Sequence, residues 1–94
     1  MNATKESIPF ELGQTVITRE ALASLNQHDV ESAIRRHTLG DWGDCDKEDW
    51  QLNDEAVGEE LRLFSIYHDR EGTKFWIITE ADRSATTVLL PSDY

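Results

Sequence analysis

The segment KFWIITEADRSATTVLL, Lys74 to Leu90, decides the fold: two apolar, β-prone runs are joined by the polar insert Thr79 to Ser84. Phe75 and Ile77 alternate with Trp76 and Ile78, so a strand here shows apolar side chains on both faces. Thr86 to Leu90 reads as the next strand, stopped by Pro91. Upstream, Leu61 to His68 reads as a strand that turns back through Asp69-Arg70-Glu71-Gly72, with Gly72 in the left-handed position, into Thr73 to Thr79. The expectation is a three-stranded antiparallel meander. Such a sheet cannot leave both faces wet, so its cover must come from upstream.

That cover reads as about three short helices. Gly13 precedes a short β-prone run, Thr15 to Ile17. Thr18 then caps a helix from about Arg19 to Asn26, with Glu20 in its first turn and Ala21, Leu22 and Leu25 on one face. A second helix starts near His28 or Asp29, with Asp29 as the cap, and runs to about Thr38. Val30, Ala33, Ile34 and His37 recur along it at helical spacing, Arg35 and Arg36 complement its C-terminal dipole, and Gly40 stops it. A third is capped by Asp46, extends to about Val57 and stops at Gly58. It sets Trp50, Asn53 and Val57 on one stripe and Leu52 and Ala56 on the next, leaving Asp49, Asp54 and Glu55 wet. The fold class is therefore α+β, with three helices packed on the meander. Residues 1–12 read as an arm, loose or docked through Ile8, Pro9 and Phe10, and residues 13–94 as a single domain.

A chain of 94 residues has room for one core, and 38% apolar content with three Trp, three Phe and two Tyr marks a folding sequence. The lone Cys45 excludes an intrachain disulfide and a thiolate cluster. No run approaches the ~18 apolar residues of a membrane span, and the amino terminus lacks an apolar region behind a basic start. The chain reads as a soluble, cytoplasmic protein.

Candidate chemistry is sparse. His28, His37 and His68 lie too far apart for a zinc signature and read as helix-end or surface side chains. Asp41, Asp44, Asp46 and Glu48 lack the spacing and the closing Glu of a calcium loop. Cys45 sits among acids that disfavour its thiolate. Glu80, Asp82 and Arg83 could form an acid/base set, but without a nucleophile and base at a recognisable spacing they read as a loop held by its own turn bonds. No cofactor or metal is expected.

The strongest asymmetry is electrostatic. The net charge is −10, from 19 acidic and 9 basic residues. Nine of the acids and one base lie between Asp41 and Glu60, a local charge of −8. A generic charge run is a solvated helix face. Carboxylates three or four residues apart on a helix, however, stand roughly 5–6 Å apart at their roots, near the spacing of backbone phosphates, and can copy a nucleic-acid strand. Such a surface repels nucleic acid and anionic membrane and attracts a basic nucleic-acid-binding protein surface. The candidate partner-binding residues are Asp41, Trp42, Asp44, Asp46, Glu48, Asp49, Asp54, Glu55, Glu59 and Glu60, with Trp42 as the aromatic anchor.

The residues Gly40-Asp41-Trp42-Gly43, Asp49, Asn53, Arg62, Ser65, Tyr67, Gly72, Lys74, Trp76 to Ser84, Thr86 to Pro91 and Tyr94 resemble a family of small bacterial proteins labelled plasmid-related or hypothetical. The resemblance spans about Val30 to Tyr94 and carries no catalytic residue with it. What it implies is a neighbourhood: accessory genes of plasmids and phages, which include small acidic inhibitors of restriction and CRISPR systems. The functional expectation is accordingly a non-enzymatic mobile-element inhibitor of a bacterial defence complex, acting as a nucleic-acid mimic. The alternative is a structural or regulatory interaction module, homodimeric in one form, that uses the spare apolar face of the sheet.

Overall fold

Period-two apolar runs pair into a sheet, and period-3.6 runs cover one of its faces. In the computed structural model, which describes residues 10–94, the order is β1 (Gln14–Ile17), α1 (Arg19–Ser24), α2 (Gln27–Thr38), α3 (Lys47–Glu59), β2 (Leu63–His68), β3 (Lys74–Thr79) and β4 (Ala85–Leu89). A closing 3-10 turn spans Pro91–Asp93. Ile8 and Pro9 of the expected arm lie outside the described residues, whereas Phe10 is docked and buried.

The α+β class is as expected, but the sheet has four strands and is mixed, in the order β1-β4-β3-β2. β2, β3 and β4 form the expected antiparallel meander, with Tyr67 opposite Phe75 and Ile77 opposite Val88. β1 adds to it in parallel, Gln14 beside Ala85 and Ile17 beside Val88. The three-stranded expectation missed this strand for a physical reason. A four-residue run carries no mark of its partner, and a parallel neighbour must lie far along the chain beyond a crossover.

The caps are local and mostly as read. Thr18 accepts from the Ala21 amide and Asp46 from the Asp49 amide. Asp29 is not the cap of α2: Asn26 takes that place, accepting from the Asp29 amide, and frees Asp29 to hold Arg70 in a two-bond pair. Gly58 does not stop α3, which ends two residues later at Glu60 in the left-handed conformation.

One face of the sheet is the core. Tyr67, Phe75, Ile77 and Val88 meet Ala21 of α1, Leu25 at its end, and Val30 and Ala33 of α2, while Leu63 packs with Phe10, Trp42 and Ala56 in a second group. Between these two groups stands His37, a fully buried side chain and not the surface one expected. Phe10 and Trp42 meet its ring edge-on, each with centroids 5.4 Å away.

Buried polar groups must be paired, and here the pairing fixes every proton. Thr86 Oγ1 donates to the Leu12 carbonyl at 2.8 Å, so it accepts from Thr79 Oγ1 at 2.7 Å. Thr79, having donated, accepts from His37 Nε2 at 2.8 Å, which leaves His37 Nδ1 to accept from Ser65 Oγ at 2.5 Å. The chain ties α2, β2, β3, β4 and the segment before β1 to one neutral imidazole. Burial, with a smaller contribution from the positive charge of Arg83, pushes the His37 pKa down from 6.5 to about 4.

A depressed histidine pKa means that the unfolded chain binds the proton first. Stability contributed by neutral His37 is therefore fully present above pH ~6.5 and falls by up to about 3 kcal/mol as the pH drops to about 4. Urea unfolding across this range is expected to give a steeper pH dependence for the wild type than for His37→Gln. Parallel profiles would show that His37 is not buried neutral.

Candidate functional site

The acidic block Asp41 to Glu60 is built against the β2 edge. After α2, Gly43 lies in the left-handed region at φ 73°, where it bridges in parallel to Ile66. A Cβ on Gly43 would run into the Ile66 carbonyl and the Tyr67 ring, so only glycine lets the loop approach this closely. Ile66 donates to the Trp42 carbonyl at 3.2 Å and accepts from the Asp44 amide at 2.6 Å. Nearly two turns into α3, Asn53 continues the job with its side chain, accepting from the Phe64 amide at 3.0 Å and donating to its carbonyl at 2.8 Å. Loop and helix thus pair with the strand edge in place of another chain. The far end of α3 is pinned by Arg83, which donates to the carbonyls of Ala56 at 3.1 Å and Leu61 at 2.7 Å.

This construction sorts the predicted site residues. Trp42 has no exposed surface and cannot serve as an exposed anchor: its ring fills the core end and its Nε1 donates to Asp54 Oδ1 at 2.9 Å. The Asp41 carboxylate is held by Arg36, with Nε 2.8 Å away, and also accepts from the Gly43 amide, which together lower its pKa. Asp44 faces His68 Nδ1 at 2.7 Å, and Asp46 is the α3 cap. Glu48, Asp49, Glu55, Glu59 and Glu60 are exposed, and none is in an ion pair among the described residues. Glu48, Glu55 and Glu59 share a helical face with Leu52, at the spacing i, i+4, i+7 and i+11. Leu52, expected on a packing stripe, is 57% exposed in the midst of these acids. Its spacing to the glutamates was readable, but an isolated leucine on a helix is by default a core residue.

The other candidates find structural work. Glu80 lies 3.5 Å from Arg62, Asp82 accepts from the Ser84 amide two residues on, and Arg83 is spent on carbonyl oxygens. Cys45 is half-buried, lies 3.4 Å from the Phe64 carbonyl, and has its thiol pKa raised, first by burial. Among the described residues no three His, Cys, Asp or Glu side chains gather as a metal site would, and no helix is long and apolar enough to cross a membrane.

The fold and surface define an α+β domain with an acidic helix laid along a sheet edge. Compared with protein families, with curated proteins and with solved structures, the chain found no match.

Removing the edge pairing should be costly. Asn53→Ala leaves the part-buried Phe64 amide without a partner and its carbonyl with only the weak Cys45 thiol, and Gly43→Ala forces a clash at positive φ. Each is expected to lower unfolding free energy by roughly 2–3 kcal/mol in urea titrations, against about 0.5 or less for Glu55→Gln on the open face. Equal, small effects would mean that α3 is not held by these bonds.

Proposed function

We propose that this chain is a non-enzymatic protein-binding module whose α3 face engages a basic surface of a nucleic-acid-binding partner. The observation that supports it most is the unpaired state of the α3 carboxylates. The ion pairs among the described residues, Arg36 with Asp41, Arg62 with Glu80, Arg70 with Asp29 and His68 with Asp44, leave the helix's own acids free. A helix held at the β2 edge and at its C-terminal end presents those charges in a fixed array, which is what a partner built to grip phosphates would meet. In its specific form the proposal is a mobile-element accessory protein that occupies the nucleic-acid site of a bacterial defence complex, a CRISPR-Cas effector or a restriction enzyme. The resemblance to small plasmid-related bacterial proteins supports this form.

The alternative reading, a regulatory module that pairs with a second copy, draws on the half-open second face of the sheet, where Trp76 and Tyr94 meet at 5.7 Å. It would associate almost independently of salt.

DNA cleavage by purified CRISPR-Cas effectors and restriction enzymes, assayed with and without this protein, is the direct test. Inhibition of at least one is expected. Because the contact joins exposed charges, affinity for the inhibited enzyme should fall steeply between 50 and 200 mM salt. The variant Glu48→Gln/Asp49→Asn/Glu55→Gln/Glu59→Gln should lose inhibition while its melting temperature holds. Undiminished inhibition by that variant would refute the acidic-face mechanism.

A further inference from the structure

The second face of the sheet carries a strip that the core leaves open. Phe64 leaves β2 on the side opposite Ser65 and Tyr67, and its ring centroid lies 4.8 Å from that of Trp76 in β3. Trp76 in turn meets Tyr94 edge-on at 5.7 Å. At the helix end of the strip, Leu52 shares a shallow cleft of about 240 Å³ with Asp49, Asn53, Arg62 and Phe64. The cleft exists because Asn53 binds the backbone of Phe64, which brings Leu52 level with the first aromatic ring. Leu52 and Tyr94, the two ends, are 57% and 69% exposed. An apolar row therefore runs from the acidic helix across two strands to the closing turn, and apolar rows with polar borders mark contact sites.

The borders say what covers it. Two cations border the row. Arg62 is engaged within the chain: it lies over the Tyr94 ring at 5.6 Å, donates to its hydroxyl at 2.9 Å and approaches Glu80 at 3.5 Å. Lys74, exposed two residues before Trp76 on the same face of β3, borders the strand side of the row, not its Leu52 end. The anions beside Leu52, which are Glu48, Asp49 and Glu55, have no ion-pair partner among the described residues. A second copy, also of charge −10, would bring its own acids toward these in a self-complementary contact. Anionic lipid and nucleic-acid phosphates meet the same repulsion. A cationic segment with an apolar side is attracted at the Leu52 end, where the unpaired acids stand.

We propose that the row Leu52, Phe64, Trp76 and Tyr94 receives a cationic amphipathic segment of the partner. Its aliphatic or aromatic side chains lie along the row, and its lysines or arginines reach Glu48, Asp49 and Glu55. This rests on the acidic-face reading and sharpens it: the partner is selected by an apolar side as well as by charge, which pure phosphate mimicry would not do.

The test uses the whole protein and two fluorescent Leu/Lys peptides of identical composition, one ordered as an amphipathic helix of about five turns and one scrambled. At physiological salt the ordered peptide is expected to bind about tenfold or more tightly than the scrambled one. Leu52→Ser/Tyr94→Ser, at exposed positions, should abolish that preference and leave the weak, salt-sensitive binding of the scrambled peptide unchanged. Glu48→Gln/Glu55→Gln should weaken both peptides. Equal affinity for the two peptides, or no effect of Leu52→Ser/Tyr94→Ser, overturns the inference while leaving the acidic face standing if Glu48→Gln/Glu55→Gln still weakens binding. Loss of the Glu48→Gln/Glu55→Gln effect overturns both readings. A concentration-dependent dimer in analytical ultracentrifugation, removed by Leu52→Ser/Tyr94→Ser, would assign the row to a second copy instead.

Discussion

The imidazole of His37 meets every layer of this protein. It hangs from the last turn of α2, is faced by Phe10 and Trp42, and is bonded at both nitrogens to hydroxyls of β2 and β3. A buried donor or acceptor left alone costs roughly 1–3 kcal/mol, so a polar chain inside an apolar core is stabilising only when every member is satisfied. Here it is: Ser65, His37, Thr79 and Thr86 pass the donor role in one direction until the Leu12 carbonyl ends it. Shifting β4 by one residue would aim Thr86 at the opposite face and break the chain, so the chain also specifies register.

The charged groups divide in a similar way. Asp69 accepts from the amides of Asn26, Glu71 and Thr73, Asp29 holds Arg70, and Asp93 accepts from Thr18 and from the Leu90 amide. The backbone amides on Asp69, that of Asn26 first, and the Arg70 guanidinium on Asp29 keep both carboxyls below the usual range, Asp29 at about 2. These acids are part of the architecture. Those along the open side of α3 take part in no ion pair among the described residues. Arg83 connects the two roles: it lies 5.7 Å over Phe10 beside the core and holds the C-terminal carbonyls of α3.

Much of this was written in local sequence. The three helices, two of their caps, the Asp69 to Gly72 turn and the β2–β3–β4 meander follow from periodicity and turn chemistry that act over a few residues. What was hidden depends on distant partners. Nothing near Thr15 announces Ala85 and its neighbours, nothing near His37 announces Ser65 and Thr79, and Trp42 between two glycines looks like an exposed loop aromatic until Asp54 and Phe10 are seen to enclose it. Asn53 shows the limit clearly. Its place on the buried side of α3 was legible, while its use as a substitute strand was not, because that requires knowing which helix lies beside the sheet edge. For the site, the acids of α3 were legible by count, and the row from Leu52 to Tyr94 was not, since it joins elements across the fold.

A closed polar chain on a neutral His37 holds together the scaffold against which α3 is laid. Long-range proton–nitrogen NMR of the His37 ring through a pH titration tests it most directly. A proton on Nε2, none on Nδ1, and no ring titration until the pH approaches about 4 are expected. A ring that titrates near 6.5, or that carries its proton on Nδ1, would contradict it.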